Sequence, residues 1–309
     1  MREALARFAE GGAAGLVIAV DVPDEEIRGA YLLYDAVHRA LPALFVGRDT
    51  GRRLHEARER GERVRLTLEA AVEDTVTHNL LGVIPGANDE LVVLQSHTDG
   101  PNGLEDNGPE AIVAMAHHLA TLPKDDLPRS VLVLLSTGHF AIEEAWGVEA
   151  FLHQHATDLV PRIAAVLSLE HLGALARDED YPDTGRTTEY EFGCCFATPH
   201  RALVDAARAA MDRSAVTDSL VLRPFVPDVT GHSPDGTSWP ADGSPFWHTA
   251  GLPTANFITG PGYLFNVEPV GRYIDVAALR RQAIAFTEAA LELAATPWDV
   301  LRAPVSEEG

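Results

Sequence analysis

Cysteine is nearly missing from this chain of 309 residues: there are two, Cys194 and Cys195, and they are neighbours. Adjacent residues lie about 3.8 Å apart at Cα, too close for ordinary disulfide geometry, so no disulfide framework is implied. In the strand-like "EYEFGCCF" both read as small, buried fillers. Basic residues are also scarce, with 24 Lys and Arg against 46 Asp and Glu, for a formal charge of −22. A charge of that sign repels phosphate backbones and anionic headgroups, which makes nucleic acid and membrane poor partners. It does not forbid a locally positive pocket. No apolar run reaches the length of a membrane span. The opening "MREALARFAEGG" lacks an apolar signal core and reads as a short helix turning at Gly11 and Gly12. As written the chain is expected in the cytoplasm; the alternative is an extracellular protein truncated at its N-terminus.

What is present is an alternation of strand and helix patterns. "AGLVIAV" (14–20) and "PALFVG" (42–47) read as strands, and 25–40 and 49–61 as helices. The alternating "RVRLTLEA" (63–70) predicts a further strand. Residues 77–97 predict a hairpin turning at "GAND", with a second strand apolar on both faces and so central. Then follow a helix (109–121) carrying Ile112, Met115, Ala116 and Leu119, a strand (131–136), a helix (about 145–155) and a strand (163–170). A strand-helix pair over "YEFGCCF" and "PHRALVDAARAAM", a strand at 251–258 and a long helix at 275–295 complete the pattern. The fold class is α/β: a mostly parallel or mixed central sheet between layers of helices, preceded by a small N-terminal α/β segment. The expected divisions are 1–72, 73–300 and a tail at 301–309.

Polar residues collect just beyond the strands, where ligands gather in open α/β sheets. They are His97, Asp99, Glu105 and Asp106 in "SHTDGPNGLEDNG", His139 after "VLVLLSTG", Glu170 and His171 after "IAAVLSL", and Asp242 in "SWPADGSPF". Imidazoles mixed with carboxylates suit zinc or a similar divalent ion. Taken alone, His97 could equally cap its strand or bond a neighbouring loop.

The order of these motifs carries more. "THNLLGVIPG", "VVLQSHTDG" and "EDNGPEAIVAMAHHLA" resemble the zinc aminopeptidase and glutamate carboxypeptidase family, over roughly residues 75–295. "GAAGLVIAV" and "PALFVG" resemble its protease-associated domain, here without the opening strands. The resemblance implies a co-catalytic metal centre. In it His97 would be a terminal ligand, Asp99 the carboxylate steadying that histidine, Asp106 the bridging ligand and Glu170 the third ligand. The resemblance also shows damage. Gly138 stands where the family has its general base, and His139 where a second glutamate binds the other metal. Asn266 in "GYLFNVEP" stands near the position of a distal histidine. Asp242 and Phe246 match a further motif, whose histidine position is Gly243. Glu105, Glu143, Glu144, His171 and His232 are the conceivable replacement bases, His171 foremost. The expected function is therefore a metal-dependent peptidase or amide hydrolase of the aminopeptidase type with an altered centre. It would hold one zinc or comparable ion, or none, and take a small peptide or amide. The alternative is an inactive relative that binds a peptide or protein partner.

Overall fold

The computed structural model describes residues 2–27, 41–69, 71, 73–139, 146–176, 189–264 and 270–303. Its N-terminal part holds α1 (Arg2–Glu10), β1 (Leu16–Ala19), α2 (Asp24–Ile27), β2 (Ala43–Val46) and α3 (Arg48–Glu59). Strands β1 and β2 pair in parallel as a two-stranded sheet. Of the helix expected at 25–40, residues 28–40 lie outside the described residues.

Strands β3 (Leu80–Ile84), β4 (Asn88–His97) and β5 (Arg129–Ser136) open the central sheet, with α4 (Asn107–Leu119) between the last two. After α5 (Trp146–Gln154) come β6 (Ile163–Leu169), β7 (Gly193–Ala197), α6 (Arg201–Arg213) and β8 (Ser219–Leu222). A small antiparallel pair, β9 (Val226–Pro227) and β10 (Thr237–Ser238), precedes α7 (Ser244–His248) and β11 (Thr254–Thr259). Helices α8 (Val276–Ala295) and α9 (Trp298–Leu301) end the described chain. The seven strands lie in the order β3-β5-β4-β6-β11-β7-β8. Strands β5, β4, β6 and β11 are mutually parallel, while β3 and β7 join antiparallel. Four carboxyl ends therefore open on one edge of the sheet.

Strand alternation distributes the core. Val92 and Leu94 face one way, against Ile112, Met115 and Leu119 of α4 and Phe286 and Leu293 of α8. Leu91 and Val93 face the other, against Val148, Phe151 and Leu152 of α5 and Phe246 of α7. Both faces of β4 are thus covered, as its unbroken apolar run predicts. Each such side chain, fully buried, contributes about 1.5–3 kcal/mol. Asp275 caps α8 by accepting from the amides of Ala277 and Ala278, which anchors the longest helix over the sheet.

Two expectations are corrected. Residues 63–70 form no strand among those described: both sides of the alternating run are largely exposed, so alternation alone gives it no buried face to pair over. Nor do β3 and β4 form a hairpin, because β5 lies between them and β3 pairs with β5, Leu81 opposite Leu134. A local turn signal cannot show that a later strand will take the middle position. Cys195 is fully buried and burial pushes its thiol up to about 12, consistent with a filler and not a reactive group.

Candidate metal centre

The carboxyl ends of β4, β5, β6 and β11 deliver His97, the Gly138–His139 turn, the Glu170–His171 turn and Thr259 to one place. His97 is fully buried, and neither of its ring nitrogens has a hydrogen-bond partner. Leaving a buried polar group unpaired costs about 1–3 kcal/mol, so this histidine has the signature of a group kept for a ligand. Burial, then the neighbouring His139 and His171, hold it neutral, well below the usual histidine range.

Its ring stacks on that of His139, with centroids 3.8 Å apart, and meets His171 edge-on at 5.7 Å. Glu105 stands between the three. Its Oε2 lies 3.6 Å from His97 Nε2, 3.3 Å from His139 Nε2 and 3.2 Å from His171 Nε2. Burial works against ionising Glu105, but the His171 charge and bonds from His139 and His171 outweigh it and hold the carboxyl below the usual range. Burial also works against the imidazolium of His139, yet Asp99 and Glu105 together raise it to about 10. His171 is raised in the same way, with Glu105 overcoming burial.

Asp99 stands near His97 but bonds a different histidine from the one the resemblance implies. Its Oδ1 is 2.7 Å from His139 Nδ1, and its Oδ2 accepts from the Gly138 amide at 2.6 Å, so it steadies His139. Asp106 is half-buried and accepts from the Gly100 amide at 2.7 Å. Among the described residues, it belongs to neither of the two groups whose donor atoms lie within 4.8 Å of one another: His97, Glu170 and His171, and His97, Asp99 and His139. Glu170 and His139 thus reach His97, and Asp106 faces its own loop. Next to it, Asn107 exchanges hydrogen bonds with the Leu172 backbone, tying the start of α4 to the turn after β6.

A row of buried polar side chains lies beneath the centre. Gln95 donates to Ser136 Oγ and accepts from Ser168 Oγ, linking β5, β4 and β6. Asn256, beside Ser168 on β11, donates to Glu170 Oε1 at 2.9 Å and accepts from Trp239 Nε1 and the Gly243 amide. Burial, above all, pushes the carboxyls of Glu170 and Asp242 upward. A Cβ on Gly243 would fall 2.7 Å from Asn256 Oδ1, so that position has no room for a histidine here. Position 171 adopts φ 55, rare for a residue with a side chain.

Sequence spacing pointed to the strand ends but missed the placement of Glu105 among the three rings, because spacing does not show which way a loop side chain turns. It also missed the polar row, which reads as ordinary small residues inside apolar strands. His232 sits on an exposed turn capped by Asp228. Glu143, Glu144 and Asn266 lie outside the described residues.

The sheet order and the cluster at its edge define a fold of the zinc exopeptidase type. The chain is similar to BSAP, a zinc aminopeptidase from Bacillus subtilis, with TM-score 0.59 and 15% identity over 92% of this chain and 65% of that one. A peptidase M28 precursor from Shewanella amazonensis SB2B gives TM-score 0.60 and 15% identity, over 96% of this chain and 63% of the other. An aminopeptidase from Aneurinibacillus sp. strain AM-1 gives 0.54 and 15%, over 93% and 63%. The chain thus spans just under two thirds of these proteins' length. No protein-family model and no curated protein sequence matches it. Among the described residues no helix is long and apolar enough to cross a membrane.

Proposed function

We propose that this chain is a metal-dependent peptidase or amide hydrolase of the aminopeptidase type, acting on a small peptide or amide at an altered centre. The observation that carries the proposal is His97: a fully buried imidazole, without a hydrogen bond at either nitrogen, beside carboxylates and two further imidazoles. These residues fit an ion such as zinc, with His97 as donor and His139, Glu170, His171 or Asp99 completing the set. When bound, the ion supplies Lewis-acid polarisation of an amide carbonyl and of water. Asp99 fixes the orientation of His139 through Nδ1. The N-terminal 72 residues, read as part of a protease-associated domain, would belong to the surroundings of the cleft.

The proton released in hydrolysis needs an acceptor, and Gly138 contributes only an amide. His171 is the candidate from the sequence, but Nδ1 faces the Thr259 carbonyl and Nε2 faces Glu105. Turnover through His171 therefore requires one of these contacts to open. This favours a second reading, in which the centre is catalytically silent and the cleft binds a peptide. A panel of aminoacyl amides and dipeptides, assayed with zinc, manganese or cobalt, separates the two. The hydrolase reading expects slow, metal-dependent turnover that chelation removes. Silence across the panel together with measurable peptide binding would replace it with the second.

A further inference from the structure

Resting on that metal-dependent reading, we infer that the ion site of this chain is a three-imidazole centre built by His97, His139 and His171, with Glu105 as its carboxylate donor. The Nε2 atoms of three histidines from the ends of three different strands lie within 3.6 Å of one atom, Glu105 Oε2. The four side chains are between 0% and 8% exposed, so the cluster is closed off from bulk solvent.

Two of the rings are already oriented. Asp99 sits on His139 Nδ1 and the Thr259 carbonyl on His171 Nδ1, and an acceptor at one ring nitrogen turns the other inward as a donor to a metal. The third ring, His97, is buried in the same group with no hydrogen bond at either nitrogen. The carboxylates implied by resemblance are less free to serve: Asp106 takes the Gly100 amide, and Glu170, though near His97 and His171, already takes Asn256 Nδ2 and the Asp242 amide on Oε1. Imidazole-rich donor sets select borderline first-row transition ions, whereas magnesium and calcium require oxygen. The site is therefore suited to zinc, cobalt or iron(II) and gives His171 a binding role in place of a proton-accepting one.

X-ray absorption at the zinc edge of the zinc-loaded full chain tests this without any substitution. Three imidazoles around the ion are expected, and two or fewer would overturn the inference. Competitive zinc titration adds a second measurement, with circular dichroism confirming that each variant is folded. His139→Gln, His171→Gln and Glu105→Gln should each weaken zinc by at least about ten-fold. Asp106→Asn should change affinity by less than about two-fold, and a large excess of magnesium should not compete. If Asp106→Asn abolishes binding while His139→Gln and Glu105→Gln retain it, the ion sits on the carboxylates; this inference fails and the hydrolase reading stands. If the unsubstituted chain binds no zinc, both fail.

Discussion

Thr259 holds His171 twice: its hydroxyl donates to the His171 carbonyl at 2.6 Å, and its own carbonyl lies 2.8 Å from His171 Nδ1. The grip matters because His171 has φ 55, a conformation costing a side-chain-bearing residue roughly 1–2 kcal/mol. Thr259→Val keeps the shape and removes the hydroxyl, leaving a buried carbonyl without its donor. Stability should fall by about 1–3 kcal/mol, read as a lower urea midpoint. An unchanged midpoint would mean that the turn after β6 is held by other contacts.

The centre and the core are separable. Burial is concentrated in "LVVL", "VLVLL" and "AAVLSL", below the loops that carry the polar cluster. The double variant His97→Ala, Asp106→Ala should keep its far-ultraviolet circular dichroism and a cooperative melt while losing affinity for zinc. A fully unfolded double variant would show that the loops, and not the strands, decide folding.

Acid sensitivity should come partly from a histidine remote from the cluster's chemistry. His200 is buried, its Nδ1 lies 2.9 Å from Thr198 Oγ1, and burial followed by the Arg302 charge lowers it to about 4. An unfolded histidine titrates near 6.5, so between about 4 and 6.5 the unfolded chain binds the extra proton. The stabilisation is fully present above pH 6.5 and is lost as pH falls toward 4, by about 3 kcal/mol at most. His200→Gln should therefore flatten the acid limb of stability against pH relative to the unsubstituted chain. Parallel limbs for the two proteins would rule out His200 as the titrating group.

Asn256 joins three partners, Glu170, Trp239 and the Gly243 amide, of which Glu170 has the Asp242 amide as a further donor. Asn256→Ala should destabilise the chain by about 2–4 kcal/mol, more than a typical surface change. Asn256→Asp keeps two acceptors but sets a second carboxylate against Glu170, so it should be worse than Ala at neutral pH and recover on acidification. Thermal melts at two pH values distinguish the pair, and equal behaviour would show that Glu170 is not held by this residue.

Much of the fold could be read from periodicity. The unbroken apolar run at 91–94 predicts a central strand, and β4 lies between β5 and β6. The register of distant strands was not legible, because the turn at "GAND" signals a reversal whether or not its two strands pair. The site was legible as strand ends and opaque as geometry. His97, His139, Glu170 and His171 converge because β4, β5 and β6 are parallel and in register. Whether Asp99 turns to His97 or to His139 depends on a few loop dihedrals that no spacing rule contains. Glu105 reads as the ordinary acidic neighbour of Asp106, and only folding brings it among three imidazoles.

Gly138 sits at φ 78 and gives its amide to Asp99, which in turn holds His139. Introducing glutamate there is consequently a backbone change as much as a side-chain one. A glutamate would carry the left-handed penalty of roughly 1–2 kcal/mol, or turn the peptide and release Asp99 from its place. The turn therefore sets a conformational toll on any side chain at position 138, separate from whatever chemistry that side chain would bring.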